Sequence, residues 1–192
     1  PDATTQATVA HLLSQTGKVE QARKAYAATA SGFRGVNPST VAWLEVQRGV
    51  TFLTAGRWAE ARRLFEAATE RLDDFTLAEE HLAEVLARSG ESAQAEALYR
   101  RVVERSGDPS LRAALADVLE ARGDTAGAAA QRQRVRKDLE GLLKGRPAAV
   151  WADAARFFLR RGDSRRALEL ARRNADLRQD ARSLTLLAQA QS

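Results

Sequence analysis

Residues 53–65 read LTAGRWAEARRLF, and four other segments of the chain carry the same pattern. Each segment contains a glycine that is followed by an alanine five residues later. A small residue lies seven positions before the glycine, and leucine or phenylalanine lies four positions before it. The aligned glycines are Gly17, Gly56, Gly90, Gly123 and Gly162. Their spacing of 33–39 residues indicates tandem copies of one structural unit.

The pattern has a direct physical interpretation as a pair of helices joined by a tight turn. A glycine after a helix adopts the left-handed backbone conformation that ends the helix and turns the chain. Small residues on the two flanking helices allow their axes to approach closely, and a large apolar residue from each helix fills the remaining space. Such hairpins must stack on one another to bury their other faces. The sequence therefore predicts an all-α array of stacked helical hairpins.

Proline and capping residues divide the chain into repeats. Pro38, Pro109 and Pro147 are each expected to open a first helix, where a missing N–H costs nothing. Asn37 and Asp108 are the expected N-caps of two of these helices. We expect a single domain over residues 1–192, with repeats at about 4–31, 38–72, 74–106, 108–145 and 147–177 and a terminal helix at 180–190.

The pattern resembles the tetratricopeptide repeat (TPR) family over about residues 4–190. Trp151, eleven residues before Gly162, stands where the family has a tryptophan. Arg132 and Ala171 depart from the family, which has a bulky residue nine positions after the glycine. The resemblance implies a right-handed α-solenoid of about five and a half TPR-like repeats, or eleven helices. It also implies a protein-binding scaffold of the bacterial type.

The last segment, DARSLTLLAQAQS at residues 180–192, is interpreted as the first helix of a sixth unit. Leu184, Leu187 and Ala188 form its predicted apolar face. A solenoid normally closes with a helix whose outer face is polar. Two alternatives stay open: the parent protein continues beyond this helix, or this helix is itself the cap.

Composition excludes several classes of protein. The chain has no cysteine, which excludes disulfides, thiolate metal sites and cysteine nucleophiles. It has no apolar stretch of about 18 residues, so no membrane span is expected. It has no methionine, even at position 1, which indicates a processed product or a fragment. These observations leave the compartment open between the cytoplasm and the periplasm, and they do not predict the oligomeric state.

The histidines do not form a recognisable catalytic or metal site. His81 lies one turn from Glu84, but a metal site normally needs three or four ligands. No serine is matched to a base and an orienting acid in the sequence. We therefore predict a protein that is not an enzyme and holds no cofactor and no metal.

The resemblance implies that a protein or peptide partner binds in the concave groove formed by the first helices. We expect this groove to be apolar near its start, acidic in the middle and basic at the end. A peptide with an aliphatic anchor followed by basic residues would be complementary. The predicted lining residues are Thr8, His11, Gln15, Trp43, Val46, Gln47, Val50, Leu53, Glu80, His81, Glu84, Arg88, Asp117, Arg156 and Arg160.

Helix 40–56 has a second apolar stripe, formed by Trp43, Val46, Val50 and Leu53, which allows two interpretations. In the first, the stripe is an open anchor pocket with a tryptophan hot spot. In the second, the loop at 31–39 folds back and covers the stripe with Phe33 and Val36. A rotation of the helix that buries Trp43 is a further alternative, because Arg48 stands where other units have an apolar residue.

The charge distribution suggests an alternative function. Residues 122–192 contain 16 Lys+Arg and 8 Asp+Glu, which by difference from the chain totals of 30 and 25 leaves the first part net negative. The Arg-rich C-terminal half could bind a polyanion, such as nucleic acid, acidic polysaccharide or anionic lipid. The interleaved acids favour a second interpretation, in which this surface is solvated and joined by salt bridges.

Overall fold

Glycine turns and helix caps determine where the helices begin and end. The computed structural model describes residues 3–33, 35 and 37–192, and within them we find eleven α-helices and no strand. The helices are α1 (Ala3–Gln15), α2 (Val19–Gly32), α3 (Pro38–Thr54), α4 (Trp58–Arg71), α5 (Thr76–Arg88), α6 (Ser92–Ser106), α7 (Pro109–Ala121), α8 (Thr125–Gly145), α9 (Pro147–Arg160), α10 (Ser164–Leu177) and α11 (Ala181–Gln191). The predicted all-α helical-repeat fold is confirmed.

The five aligned glycines all lie in hairpin turns and all have a positive φ, between 72° and 86°. In each turn, the N–H after the glycine donates to the carbonyl of the apolar residue four positions before it. Arg57 donates in this way to Phe52 at 2.9 Å, and Asp163 donates to Phe158 at 3.0 Å. In four of the five hairpins the same apolar side chain is buried: Phe52, Leu86, Leu119 and Phe158. One residue therefore both ends the first helix and packs it against the second.

The predicted caps are also confirmed. Asn37 Oδ1 accepts a hydrogen bond from the Ser39 N–H at 3.0 Å, and Asp108 Oδ1 accepts from the Ser110 N–H at 2.7 Å. Pro38, Pro109 and Pro147 each stand in the first turn of their helix. The two capping contacts fix the residues at which α3 and α7 begin.

The chain divides into two compact units, Pro1–Gly107 and Asp108–Ser192, which are described separately. The first unit contains α1–α6, with one cluster around Tyr26 and Leu44 and another around Phe65. The second contains α7–α11, with a core around Phe158. The assignment of the whole chain to a single domain, with the repeat limits given above, stays a prediction.

The last helix packs by a different face from the one predicted. Ser183, Leu186 and Ala190 are buried, and Leu187 is partly buried against the core of the second unit. Leu184 and Ala188, which were predicted to form the same apolar face as Leu187, are exposed. The reason is that α11 packs on α10 and α9, and the buried hydrogen bond from Asn174 to Ser183 orients it with Ser183 inward.

The two helices of the second hairpin approach each other closely at Gly49 of α3. The equivalent position is alanine in the other four hairpins. Here a Cβ atom would collide with the ring of Phe65, which is fully buried on α4. The absence of a side chain at Gly49 therefore lets the ring lie directly on the backbone of α3.

We expect Gly49→Ala to lower the free energy of unfolding by about 1–3 kcal/mol, because the added methyl group overpacks the core. Replacing a glycine within a helix by alanine usually raises the free energy of unfolding, so the effect expected at Gly49 has the opposite sign. The matched control is Gly141→Ala on α8, where a Cβ would meet no atom within 4 Å. That change should raise the free energy of unfolding by about 0.5–1 kcal/mol. Thermal denaturation followed by circular dichroism measures both, and stabilisation by Gly49→Ala would contradict the close approach.

Candidate functional site

A groove of about 880 Å³ lies in the first unit on the face formed by α1 and α3. Its described lining includes no Asp, Glu, Lys or Arg side chain. The polar lining comes from threonine, serine, histidine and glutamine side chains, and the apolar lining includes three aromatic rings. Residues that define it are Thr8, His11, Phe33, Trp43, Gln47 and Phe75. An uncharged groove with aromatic walls suits an apolar side chain of a ligand.

Helix periodicity brings the lining residues of α3 together. Thr40, Trp43 and Gln47 are three and four residues apart, so they lie on one side of the helix. The Asn37 cap fixes the residue at which this helix begins. Thr8 and His11 lie one turn apart on α1 and line the same groove. The structure thus brings Trp43 and Gln47 together with two residues that were predicted for the first unit.

Phe33, in the loop after α2, borders the groove beside Trp43. Phe33 lines the groove and is half-buried, and the backbone of Gly35 lies so close to its ring that a Cβ there would overlap it. Trp43 nevertheless remains 37% exposed. The rotation of α3 that would bury Trp43 is therefore wrong. Val36, the second residue of the predicted cover, and the side chain of Gln15 lie outside the described residues.

The rest of the second stripe on α3 has a structural role. Val46 is fully buried, and its prediction as an open groove residue is wrong. It shares a core cluster with Phe65 of α4 and Val85 of α5, and Val50 and Leu53 pack against that cluster. The physical reason is that α3 contacts both its own second helix and the next first helix. A first helix in such an array needs an apolar surface wider than one stripe.

Phe75 is a groove residue that the sequence argument missed. It lies in the short connection between α4 and α5 and stands at the N-cap position of α5. An aromatic residue is unusual at that position, since Asn, Asp, Ser and Thr are preferred there. That mismatch was an available signal that Phe75 serves packing or binding.

The predicted groove residues on α5 form a packed, ion-paired cluster. The ring of His81 stacks on Phe65 with centroids 5.3 Å apart, and its Nδ1 lies 3.5 Å from Glu84 Oε2. Arg88 Nη2 lies 2.9 Å from the other oxygen of Glu84. His81 in the first place, and Arg88 with it, hold the pKa of the Glu84 carboxyl below its ordinary value. Glu80 is half-buried beside them on the same helix.

The buried acid of α5 is Glu79, which the sequence argument did not single out. Glu79 Oε1 lies 2.9 Å from Arg101 Nη2, and its other oxygen pairs with Arg105, both on α6. A buried carboxylate needs such partners, because an unpaired buried charge is strongly destabilising. Glu79 therefore joins the two helices of its hairpin.

In the second unit, the predicted groove residues are joined by ion pairs on an exposed surface. Asp117 lies 3.4 Å from Arg160, 3.4 Å from Arg132 and 3.2 Å from Arg161. Arg132 also pairs with Glu120, which explains how an arginine occupies the usual place of a bulky apolar residue. Further pairs in this unit join Arg156 to Asp153, Arg166 to Glu140 and Arg173 to Glu169. Because the two units are described separately, a groove running through both stays a prediction.

In the described part of the chain, no group of three or more His, Asp and Glu side chains could hold a metal ion. Among the helices described, none combines the length and apolar content that crossing a bilayer requires.

Comparison with known proteins agrees with the repeat architecture. A family profile described as tetratricopeptide repeat matches residues 10–68, 46–109 and 82–138. The solved structure of YrrB, described as a TPR protein with an unusual peptide-binding site, shares 21% identity with a TM-score of 0.57. It covers 99% of this chain and 92% of that one. No curated protein sequence matches the chain.

Two further structures illustrate the same likeness. A tetratricopeptide repeat protein from Parabacteroides merdae shares 16% identity and a TM-score of 0.67, over 100% of this chain and 72% of that one. PilF from Pseudomonas aeruginosa shares 17% identity and a TM-score of 0.61, over 99% and 81%. At such identities these structures establish the fold only. The family match spans more than half of the length of this chain. The chain therefore belongs to the tetratricopeptide repeat family, whose fold serves generally as a scaffold for protein interactions.

Proposed function

We infer that the protein is a non-enzymatic scaffold that binds a peptide or protein segment in the groove between α1 and α3. The observation that carries this proposal is Trp43, which remains 37% exposed in a groove of about 880 Å³ whose described lining carries no charged side chain. A single exposed apolar side chain is ordinary, whereas several that line one groove indicate an interaction site. Tryptophan is also among the residues that most often dominate binding energy at protein interfaces.

The lining specifies the chemistry of the ligand. Trp43, Phe33 and Phe75 would contact an aliphatic or aromatic anchor side chain. Thr8 and Gln47 would form hydrogen bonds with the backbone of an extended segment, because an amide and a hydroxyl both donate and accept. The sequence suggested that basic residues follow the anchor in the ligand. The structure gives this preference no support, because Glu84 is already paired with Arg88 and His81.

The use of the titratable side chains supports a function without catalysis. His81 is occupied by stacking on Phe65 and by its contact with Glu84. YrrB, which is described as having an unusual peptide-binding site, offers a precedent for the class of ligand within this fold. That likeness does not locate the site on this chain.

Polyanion binding through the Arg-rich half remains the alternative and gains no specific support. Arginines that it would use are already close to carboxylates within the second unit: Arg132, Arg156, Arg160, Arg161, Arg166 and Arg173. These contacts reduce the positive potential that a polyanion would meet. The salt dependence of binding separates the two functions.

Trp43→Ala should weaken peptide binding by about 30-fold or more, which corresponds to about 2 kcal/mol. Peptides selected on the immobilised protein from a phage-displayed random library serve as ligands, and fluorescence anisotropy of labelled peptides gives the Kd. Trp43→Ala should remove the contact surface with little effect on folding, because the side chain is partly exposed and lies outside the core clusters.

The matched control is Trp58→Ala, which truncates a tryptophan of similar exposure, 40%, on the second helix α4. This variant should bind the selected peptides with unchanged affinity. Peptides that bind Trp43→Ala as tightly as the unaltered protein would refute the groove site. Equal losses in both variants would instead indicate a general effect on folding.

Binding to the uncharged groove should change by less than about threefold between 50 and 200 mM salt. Binding that neutralises several phosphates of a polyanion would instead weaken by orders of magnitude over the same range of salt concentration. The measurement is the Kd of a selected peptide at several salt concentrations, beside a single-stranded oligonucleotide and a heparin fragment as polyanion probes. Tight, steeply salt-dependent binding of either probe, with no peptide selected, would favour the polyanion function.

A further inference from the structure

The connection between α4 and α5 differs from the equivalent connection between α6 and α7 at two positions. In the second of these connections, Gly107 has a φ of 64° and the side chain of Asp108 caps the helix that follows. The same two positions, counted back from the glycine of the following hairpin, hold Asp74 and Phe75. Asp74 keeps the left-handed conformation, with a φ of 57°, and Phe75 stands at the N-cap without a capping hydrogen bond from its side chain.

Both exchanges are unfavourable for the local backbone. A left-handed conformation suits glycine and costs other residues free energy, although aspartate tolerates it better than most. Phenylalanine cannot cap a helix with its side chain. Within the residues that the structure describes, Asp74 is the one residue other than glycine with a positive φ. Such a conformation persists where the surrounding structure fixes it, and residues of this kind cluster at functional sites.

Phe75 is part of the groove wall. It lines the groove and also packs against the core cluster that contains Phe65. Its carbonyl accepts hydrogen bonds from the N–H groups of Ala78 at 2.9 Å and Glu79 at 3.1 Å, which join it to the first turn of α5. The chain enters Phe75 from Asp74, so the direction of the Phe75 side chain depends on the backbone of the residue before it.

Ion pairs tie Asp74 to α6. Asp74 Oδ1 lies 2.7 Å from Arg105 Nη1. Arg105 also pairs with Glu79, which is buried and lies 2.9 Å from Arg101. Arg105 is therefore anchored at a buried carboxylate, and Asp74 is held by an arginine that is itself fixed. Because Asp74 is exposed, this ion pair contributes little to global stability, and its effect is on the position of the connection.

We propose that Asp74 is a positioning residue of the groove, which holds Phe75 in the wall that receives the anchor side chain of the ligand. This inference rests on the proposed function and deepens it. Asp74 is not one of the residues that line the described groove, so it acts through Phe75 and not by touching the ligand. When the connection is released, a smaller fraction of molecules presents Phe75 to the groove, and the apparent affinity falls with that fraction.

Asp74→Ala removes the carboxylate and disfavours the left-handed backbone. It should weaken binding of peptides selected on the unaltered protein by about threefold to tenfold. Asp74→Asn tolerates the same φ and keeps an oxygen that accepts from Arg105, so it should lose less than about twofold. The matched control is Asp73→Ala, which removes an equal charge from the neighbouring residue of the same connection and should bind like the unaltered protein. Fluorescence anisotropy gives each Kd.

A double-mutant cycle separates positioning from a general loss of stability. Phe75→Ala should weaken binding, and adding Asp74→Ala to it should cause no further loss, because the ring that Asp74 positions is gone. Adding Asp74→Ala to Gln47→Ala should instead multiply the two losses. A general destabilisation would weaken both backgrounds to the same extent. Melting curves by circular dichroism show that each variant is folded at the temperature of the measurement.

Three results would overturn the role of Asp74. These are unchanged affinity in Asp74→Ala, an equal loss in Asp74→Asn and Asp74→Ala, and a loss from Asp74→Ala that is the same with and without the Phe75 ring. Trp43→Ala, measured beside these variants, separates such a failure from a failure of the groove. Peptides that are sensitive to Trp43→Ala but insensitive to Asp74→Ala refute the role of Asp74 alone, whereas peptides insensitive to Trp43→Ala refute both the groove site and the inference that rests on it.

Discussion

The close contact between the two helices of each hairpin is the constraint on which the rest of the structure depends. It requires a small residue on the first helix and a large apolar residue opposite, as where the ring of Phe65 lies on the backbone at Gly49. It also requires a turn tight enough to return the chain at once. The glycine turns satisfy that need, and their hydrogen bonds use the carbonyl of the same apolar residue that fills the core.

This contact determines the site indirectly. Because each first helix is held against its own partner and also against its neighbours, α3 must be apolar on more than one side. Leu44 packs in the cluster of α1 and α2, and Val46 packs in the cluster of α4 and α5. Trp43 lies between these two buried directions and remains in contact with water. The groove is therefore a consequence of how hairpins stack.

The same constraint arranges the charged side chains. Helices held at a close distance bring acids and arginines from different helices together, as with Glu79 on α5 and Arg101 on α6. Most of the other ion pairs are exposed, and exposed pairs contribute little to stability. Their larger effect is on function, because a carboxylate beside an arginine removes charge that a ligand would otherwise meet. These ion pairs lower the local potential at the paired arginines but leave the net charge of each half of the sequence unchanged, while α1 carries no charged side chain.

Local chemistry determined much of this protein from its amino-acid sequence: the hairpin turns at glycine, the caps at Asn37 and Asp108, the family and the all-α class. These features depend on contacts within a few residues, which sequence spacing reveals directly. The tertiary structure alone decided that Val46 is buried while Trp43 is exposed, and that Glu79 rather than Glu80 is enclosed by arginines. Adjacent positions on a helix differ by about 100° in direction. Which of those directions meets another helix depends on how neighbouring hairpins are placed, and spacing along one helix does not contain that information.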